Sequence, residues 1–202
     1  MATANLRERN KAKRRDAIVA AAIDLFASQG YHQTTIGEIA ERAELASRTV
    51  SVHFPAKLDI VKADIEDLAN ELIETLGTLP PGSTALDACL DWIQRALLDT
   101  TNPHVRNRMR MYASNEELVA LLSVRISEVV EQAILADPQL DRLLVDPVDR
   151  AITGASIAGV ARHLATLGTQ DEIDAMLERS RLYFRGGFEA LRSHPAPAGK
   201  AE

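Results

Sequence analysis

Aromatic residues make up only 4% of this sequence, too few to build a core on rings. The interior must come from Leu, Ile, Val and Ala, a choice that favours helices over sheets. There is one cysteine, Cys89. That excludes an intramolecular disulfide and any cysteine-based zinc site, and it fits a reducing cytoplasm. No uncharged apolar run reaches ~18 residues, so no membrane span is expected. The basic, polar N-terminus is unlike a secretory signal. Strand patterns and internal repeats are missing as well.

What is present is ordinary in bulk and uneven in detail. Hydrophobic residues are 46% and charged residues 26% of 202, as in a soluble globular protein of one or two domains. The net charge of −6 argues, by itself, against nucleic acid. Its distribution argues the other way. Arg7, Arg9, Lys11, Lys13, Arg14 and Arg15 face only Glu8 in residues 1–15, a local +5 that leaves −11 for the remainder. An acidic body with a basic arm is an asymmetry that orients a protein on DNA.

Helical periodicity runs almost throughout. Ile18, Ala22, Leu25 and Phe26 fall on one face, and Gly30 stands where a C-terminal cap belongs. Thr35 and Glu38 form a capping box before Ile36, Ile39, Ala40 and Ala43. A break at 44–46 precedes a third short helix, about 47–54, that Pro55 ends. A longer helix is expected over about 57–76, and GTLPPG (77–82) is the clearest break. Beyond it the helices lengthen. Ser83 is expected to cap one to about Leu98, and Pro103 stands near the start of the next. Ser114 or Asn115 opens another to about Ala136, and Pro147 starts one through Leu167. Thr169 and Glu172 box the last, to about Leu191.

Two short helices joined by a three- or four-residue turn are a helix-turn-helix arrangement. The second such helix can enter the major groove of double-stranded DNA. Here Val50 and Phe54 form its buried pair. Ser47, Arg48, Ser51 and Val52 then face outward, with Thr49 and His53 at the margins. Arg48 has the donor geometry for a guanine edge. Thr49, Ser51 and His53 can donate to phosphates, as can Lys57 and, from the first turn of the second helix, Thr34 and Thr35.

The run RRDAIVAAAIDLFASQGYHQTTIGEIAERAELASRTVSVHFPAKLDIV, Arg14 to Val61, resembles the tetracycline-repressor (TetR) family of bacterial transcriptional regulators. The Ala-Ala and Leu-Phe of the first helix, Gly30, Thr-Thr-Ile, Ile-Ala and Thr-x-x-x-His-Phe-x-x-Lys carry the resemblance. Three places depart from it. Glu44 replaces the turn glycine and Ala46 the usual cap serine, so Ser47 is the expected cap. Ser51 and Val52 stand where aromatics are frequent. These departures bear on the operator sequence rather than the fold.

The resemblance implies an all-α chain: an N-terminal three-helix head and a larger C-terminal helical domain that binds a small molecule and dimerises. The expected division is a flexible basic arm (1–12), a helix-turn-helix domain (13–60) with helix 57–76 connecting, a ligand-binding and dimerisation domain (77–193) and a disordered tail (194–202). Ile173, Met176, Leu177, Ser180, Phe184, Gly187, Phe188 and Leu191 line one stripe, and Gly154, Ala155, Ala158 and Gly159 are small. The residues alone leave open whether these stripes pack within one subunit or between two. The resemblance places Ala155, Gly159, Ile173, Met176, Leu177, Phe184 and Phe188 at a homodimer interface. It also makes Cys89, Trp92, Met109, Tyr112, Leu118, Leu122 and His163 candidate ligand contacts. Arg106, Arg108 and Arg110 read as a solvated surface.

Enzyme signatures are absent. There is no Walker loop, and GASIAG (154–159) falls inside a helix rather than after a strand. The five histidines are scattered, none in Glu-x-x-His. No cofactor and no metal are expected. The expected function is a homodimeric repressor released from a palindromic operator by a small molecule, acting in the cytoplasm without a membrane partner. An activator, a regulator without a ligand, and a helical ligand-binding protein whose head no longer reads DNA are the alternatives.

Overall fold

A computed structural model of the chain describes residues 2–79, 83–99, 101–136, 143–144, 146–164 and 169–194, without the side chains of 2–5, 97 and 161–164. The described elements are all helices: α1 (Ala2–Gln29), α2 (Ile36–Arg42), α3 (Ser47–His53), α4 (Lys57–Gly77), α5 (Ala85–Leu98), α6 (Pro103–Ala113), α7 (Glu116–Ala136), α8 (Pro147–Leu164) and α9 (Gln170–Ser193). The residues expected as a flexible arm continue α1 back to Ala2. That stretch holds no Gly or Pro, and its Ala, Arg, Lys, Glu and Leu are good helix formers.

Helix ends follow local chemistry. Both expected capping boxes form: Thr35 with Glu38, and Thr169 with Glu172. Thr84, not Ser83, caps α5, its Oγ1 accepting from the Asp87 amide at 3.1 Å. Asn115 opens α7, accepting from the amides of Glu117 and Leu118. Gly30 closes α1 at φ 94°, donating its amide to the Phe26 carbonyl at 3.1 Å.

One continuous apolar cluster joins the head to the body. Ile18, Ala22 and Phe26 of α1 meet Ile39 of α2, Val50 of α3 and Ile60 of α4, and the cluster runs on through Leu68, Leu90, Trp92, Ile126 and Val129. Among the described residues, the Trp92 indole Nε1 is the buried side-chain polar atom that lacks a hydrogen-bond partner. Ion pairs tie the helices at their edges. Arg15 of α1 grips Asp67 of α4 with two bonds of 2.8 Å, and Arg125 of α7 grips Glu66 of α4 at 2.9 and 3.0 Å. Arg181 of α9 pairs with Asp91 of α5.

The helix pair α7–α8 is closely packed. A Cβ at Gly154 would stand 3.1 Å from Glu131 Cγ and 3.2 Å from the Ser127 carbonyl oxygen, so glycine is what lets α8 come that near. Gly154 thus faces α7 in the same chain and Ala158 is buried, whereas Ala155 is exposed and a Cβ at Gly159 would meet nothing within 4 Å. The α9 stripe expected at a subunit interface also packs inside the chain. Ile173, Leu177 and Phe184 are buried in the core, and Met176 and Phe188 pack half-buried against it. Periodicity marks a face as covered but not by which chain. The large apolar side chains left exposed on α8 and α9 are instead Val148, Ile152, Leu182 and Tyr183.

Candidate nucleic-acid interface

In the head, α2 ends in a Schellman turn. The Leu45 amide donates to the Ala40 carbonyl and the Glu44 amide to Glu41, with Glu44 at φ 56°. This left-handed position is the one that glycine ordinarily fills. Ala46 then provides the N-cap of α3 with no side-chain bond, so the expected cap at Ser47 does not form. Ser47 is already the first helical residue.

Val50, fully buried, holds α3 to the core, and Phe54 follows at 7% exposure. The opposite face is open. Ser47, Arg48, Ser51 and Val52 are exposed, and Thr49 and His53 are half-buried. Among the described residues Arg48 has no hydrogen-bond or ion-pair partner. Its five donors are free for an external acceptor, and a guanidinium matches the two acceptors of a guanine edge.

The other expected contacts lie differently. Thr34 is buried, its hydroxyl donating to the Gly30 carbonyl at 2.8 Å. Thr35 is exposed, but its Oγ1 is held by Glu38 within the capping box, and the same bonds draw the Glu38 carboxyl below its usual range. Lys57 does not present its charge to solvent. Its ammonium donates to the carbonyls of Tyr31 at 2.6 Å, His32 at 3.2 Å and Thr34 at 2.7 Å. It also sits 4.7 Å from the Tyr31 ring centroid, a cation–π distance. Lys57 is therefore a staple that fixes the α1–α2 turn against α4, not a free phosphate clamp.

Residues 18–63 match the family model described as bacterial regulatory proteins, tetR family. The match covers the head and nothing beyond it. The chain is 34% identical over 83 residues to the HTH-type transcriptional regulator TcmR of Streptomyces glaucescens, a match covering 41% of this chain and 37% of that one. It is 20% identical over 115 residues to the biofilm operon icaADBC HTH-type negative transcriptional regulator IcaR of Staphylococcus epidermidis, covering 57% of this chain and 62% of that one. The chain thus matches less than two thirds of either curated relative. Its fold is similar to that of native NalD of Pseudomonas aeruginosa, the secondary repressor of the MexAB-OprM multidrug efflux pump. The TM-score is 0.60 at 21% identity, over 88% of this chain and 96% of that one.

Behind the tetR-like head, the body holds a narrow cleft, partly open to solvent, with a free volume of about 10 Å³. Ala85, Leu86 and Cys89 of α5, Val130, Ala133 and Ile134 of α7, Thr153 and Ile157 of α8 and Phe188 of α9 line it. Of the seven expected ligand contacts, Cys89 alone is in this lining. Trp92, Leu118 and Leu122 are core, Met109 packs half-buried against it, and Tyr112 points its hydroxyl elsewhere. His163 lies in α8, but its side chain falls outside the described residues. Burial pushes the Cys89 thiol up to about 12, so it is an inert wall residue.

A polar junction that the sequence did not reveal links α4 to α6. Asp64, 1% exposed, accepts from Arg108 Nε at 3.0 Å and from the Tyr112 hydroxyl at 2.9 Å. Arg108 also touches His104 Nε2 at 3.2 Å, and Asn107 donates to Asp24 of α1 at 2.9 Å. Arg108 is thus an inward residue rather than part of a solvated surface. Burial raises the Asp64 carboxyl, against the pull of Arg108 and Tyr112. The visible signal was Asp64 itself, an acid on the stripe Val61, Ile65 and Leu68. Its partner stands 44 residues away.

Proposed function

We propose that this chain is a homodimeric DNA-binding transcriptional regulator, a repressor that leaves a palindromic operator when a small molecule binds its body. One observation carries the reading: within a tetR-matching head, α3 is anchored by buried Val50 and leaves Arg48 unpaired and outward. A helix held on one side and free on the other is what major-groove reading requires. Catalysis has no part in this reading.

Exposed Val148, Ile152 and Ala155 recur at helical spacing on α8, and Leu182 and Tyr183 stand out on α9. This face supports a second copy of the chain as partner. Two copies would set two heads about one helical turn, ~34 Å, apart. The apolar cleft between α5, α7 and α8 is the effector site in this reading. Its free volume of about 10 Å³ is far below the ~300–1,000 Å³ usual for small-molecule sites, so an effector must displace wall side chains. Such a displacement reaches the head through α4, which the Asp64–Arg108 pair fastens to α6. Among the described residues no helix is long and apolar enough to cross a membrane, consistent with a cytoplasmic place of action.

The test is a gel shift with duplexes enriched from a random library, at two salt concentrations. A specific complex that survives salt sufficient to abolish binding to scrambled duplex supports the proposal. Equal loss on both DNAs would leave a helical protein whose head does not read sequence.

A further inference from the structure

Val52 is 77% exposed, more than any other large hydrophobic residue described. It is the next-to-last residue of a seven-residue helix, and a β-branched side chain is a weak helix former. Among the described residues nothing covers it to offset that cost. Its neighbours on α3 are Arg48, Ser51 and His53, and the other exposed large hydrophobics among the described residues are on α1, α4, α7, α8 and α9. An isolated apolar side chain among polar ones is a poor protein-docking patch, which requires contiguous apolar area. It does fit an isolated apolar target.

Arg48 and Val52 stand four residues apart, so they share a helix face with Cβ atoms about 5–6 Å apart. Their separation along the axis is about 6 Å, against ~3.4 Å per base pair. In the major groove, the acceptors O6 and N7 of guanine suit an arginine fork, and the C5-methyl of thymine is the isolated apolar target. We propose that Arg48 and Val52 act as a two-residue reading unit. Each half-site then contains a guanine and, one or two base pairs away, a thymine whose methyl packs on Val52. This inference rests on the DNA-binding reading above and adds the base composition that α3 selects.

The test uses a duplex enriched by the full-length protein from a random library. Each thymine near the enriched guanine is replaced in turn by deoxyuridine, which removes the methyl alone. The wild type is expected to lose about three- to fivefold in affinity at one such position in each half-site, the worth of one buried methyl. Val52→Ala is expected to bind the thymine and deoxyuridine duplexes equally, with a thermal melt no lower than that of the wild type, because the side chain is solvent-exposed and alanine is the better helix former. Replacing the guanine by 7-deazaguanine is expected to weaken the wild type but not Arg48→Ala. The inference is overturned if the wild type is indifferent to every deoxyuridine, or if Val52→Ala discriminates as the wild type does. If no duplex is enriched at all, it is the DNA-binding reading that has failed.

Discussion

Lys57 shows how far one side chain can depart from the role its sequence position suggests. A lysine beside a reading helix has the charge for a phosphate, yet its three protons are placed on Tyr31, His32 and Thr34. Lys57→Met should therefore destabilise the protein by about 1–3 kcal/mol, read as a lower urea midpoint. The salt dependence of DNA binding should stay the same; a slope smaller by about one would put Lys57 on a phosphate after all. Glu44 is the opposite case, a residue kept where its backbone is strained at φ 56°. Glu44→Gly should stabilise the chain by up to about 1 kcal/mol, because only the non-glycine side chain resists the left-handed region. An unchanged or lower midpoint would mean that the glutamate makes a compensating contribution.

At the scale of helices, what was legible in the sequence was local. The capping boxes at Thr35 and Thr169 and the Gly30 cap depend on residues within a turn of each other, so spacing alone reveals them. The Asp64–Arg108 pair and the Lys57 staple join residues 44 and 23–26 apart, and no periodicity encodes such a meeting. The α4–α6 junction has a pH signature. Burial, then the Arg108 charge, hold the His104 imidazole below its ordinary 6.5, while Asp64 and Asp24 pull it upward. The unfolded chain thus takes up a proton near 6.5 that the folded chain resists. His104 contributes stability above that pH and loses it as pH falls through and below 6.5. Urea midpoints at pH 7.5 and about 5.5 should differ more for the wild type than for His104→Gln. A wild-type difference equal to that of the variant would remove His104 from the junction.

For the whole molecule, the stripe of Ile173, Leu177 and Phe184 was readable as buried but not as buried by its own chain. Helical spacing reports that a face is covered and is silent on the partner. With that stripe inside the core, the face open to a second copy shifts to Val148, Ile152, Leu182 and Tyr183. Ile152→Glu should leave the fold intact, since Ile152 is 55% exposed. It should also convert a dimer to a monomer in sedimentation at micromolar concentration and weaken binding to a palindrome far more than to a half-site. A variant that still sediments as a dimer would move the interface elsewhere. Operator selection in the proposed function depends on α3 reading base sequence through Arg48. The direct measurement is the affinity of wild type and Arg48→Ala for an enriched operator and for a scrambled duplex. The expected result is a loss of about 1–3 kcal/mol on the operator and little on the scramble. An equal loss on both, or none on either, would contradict it.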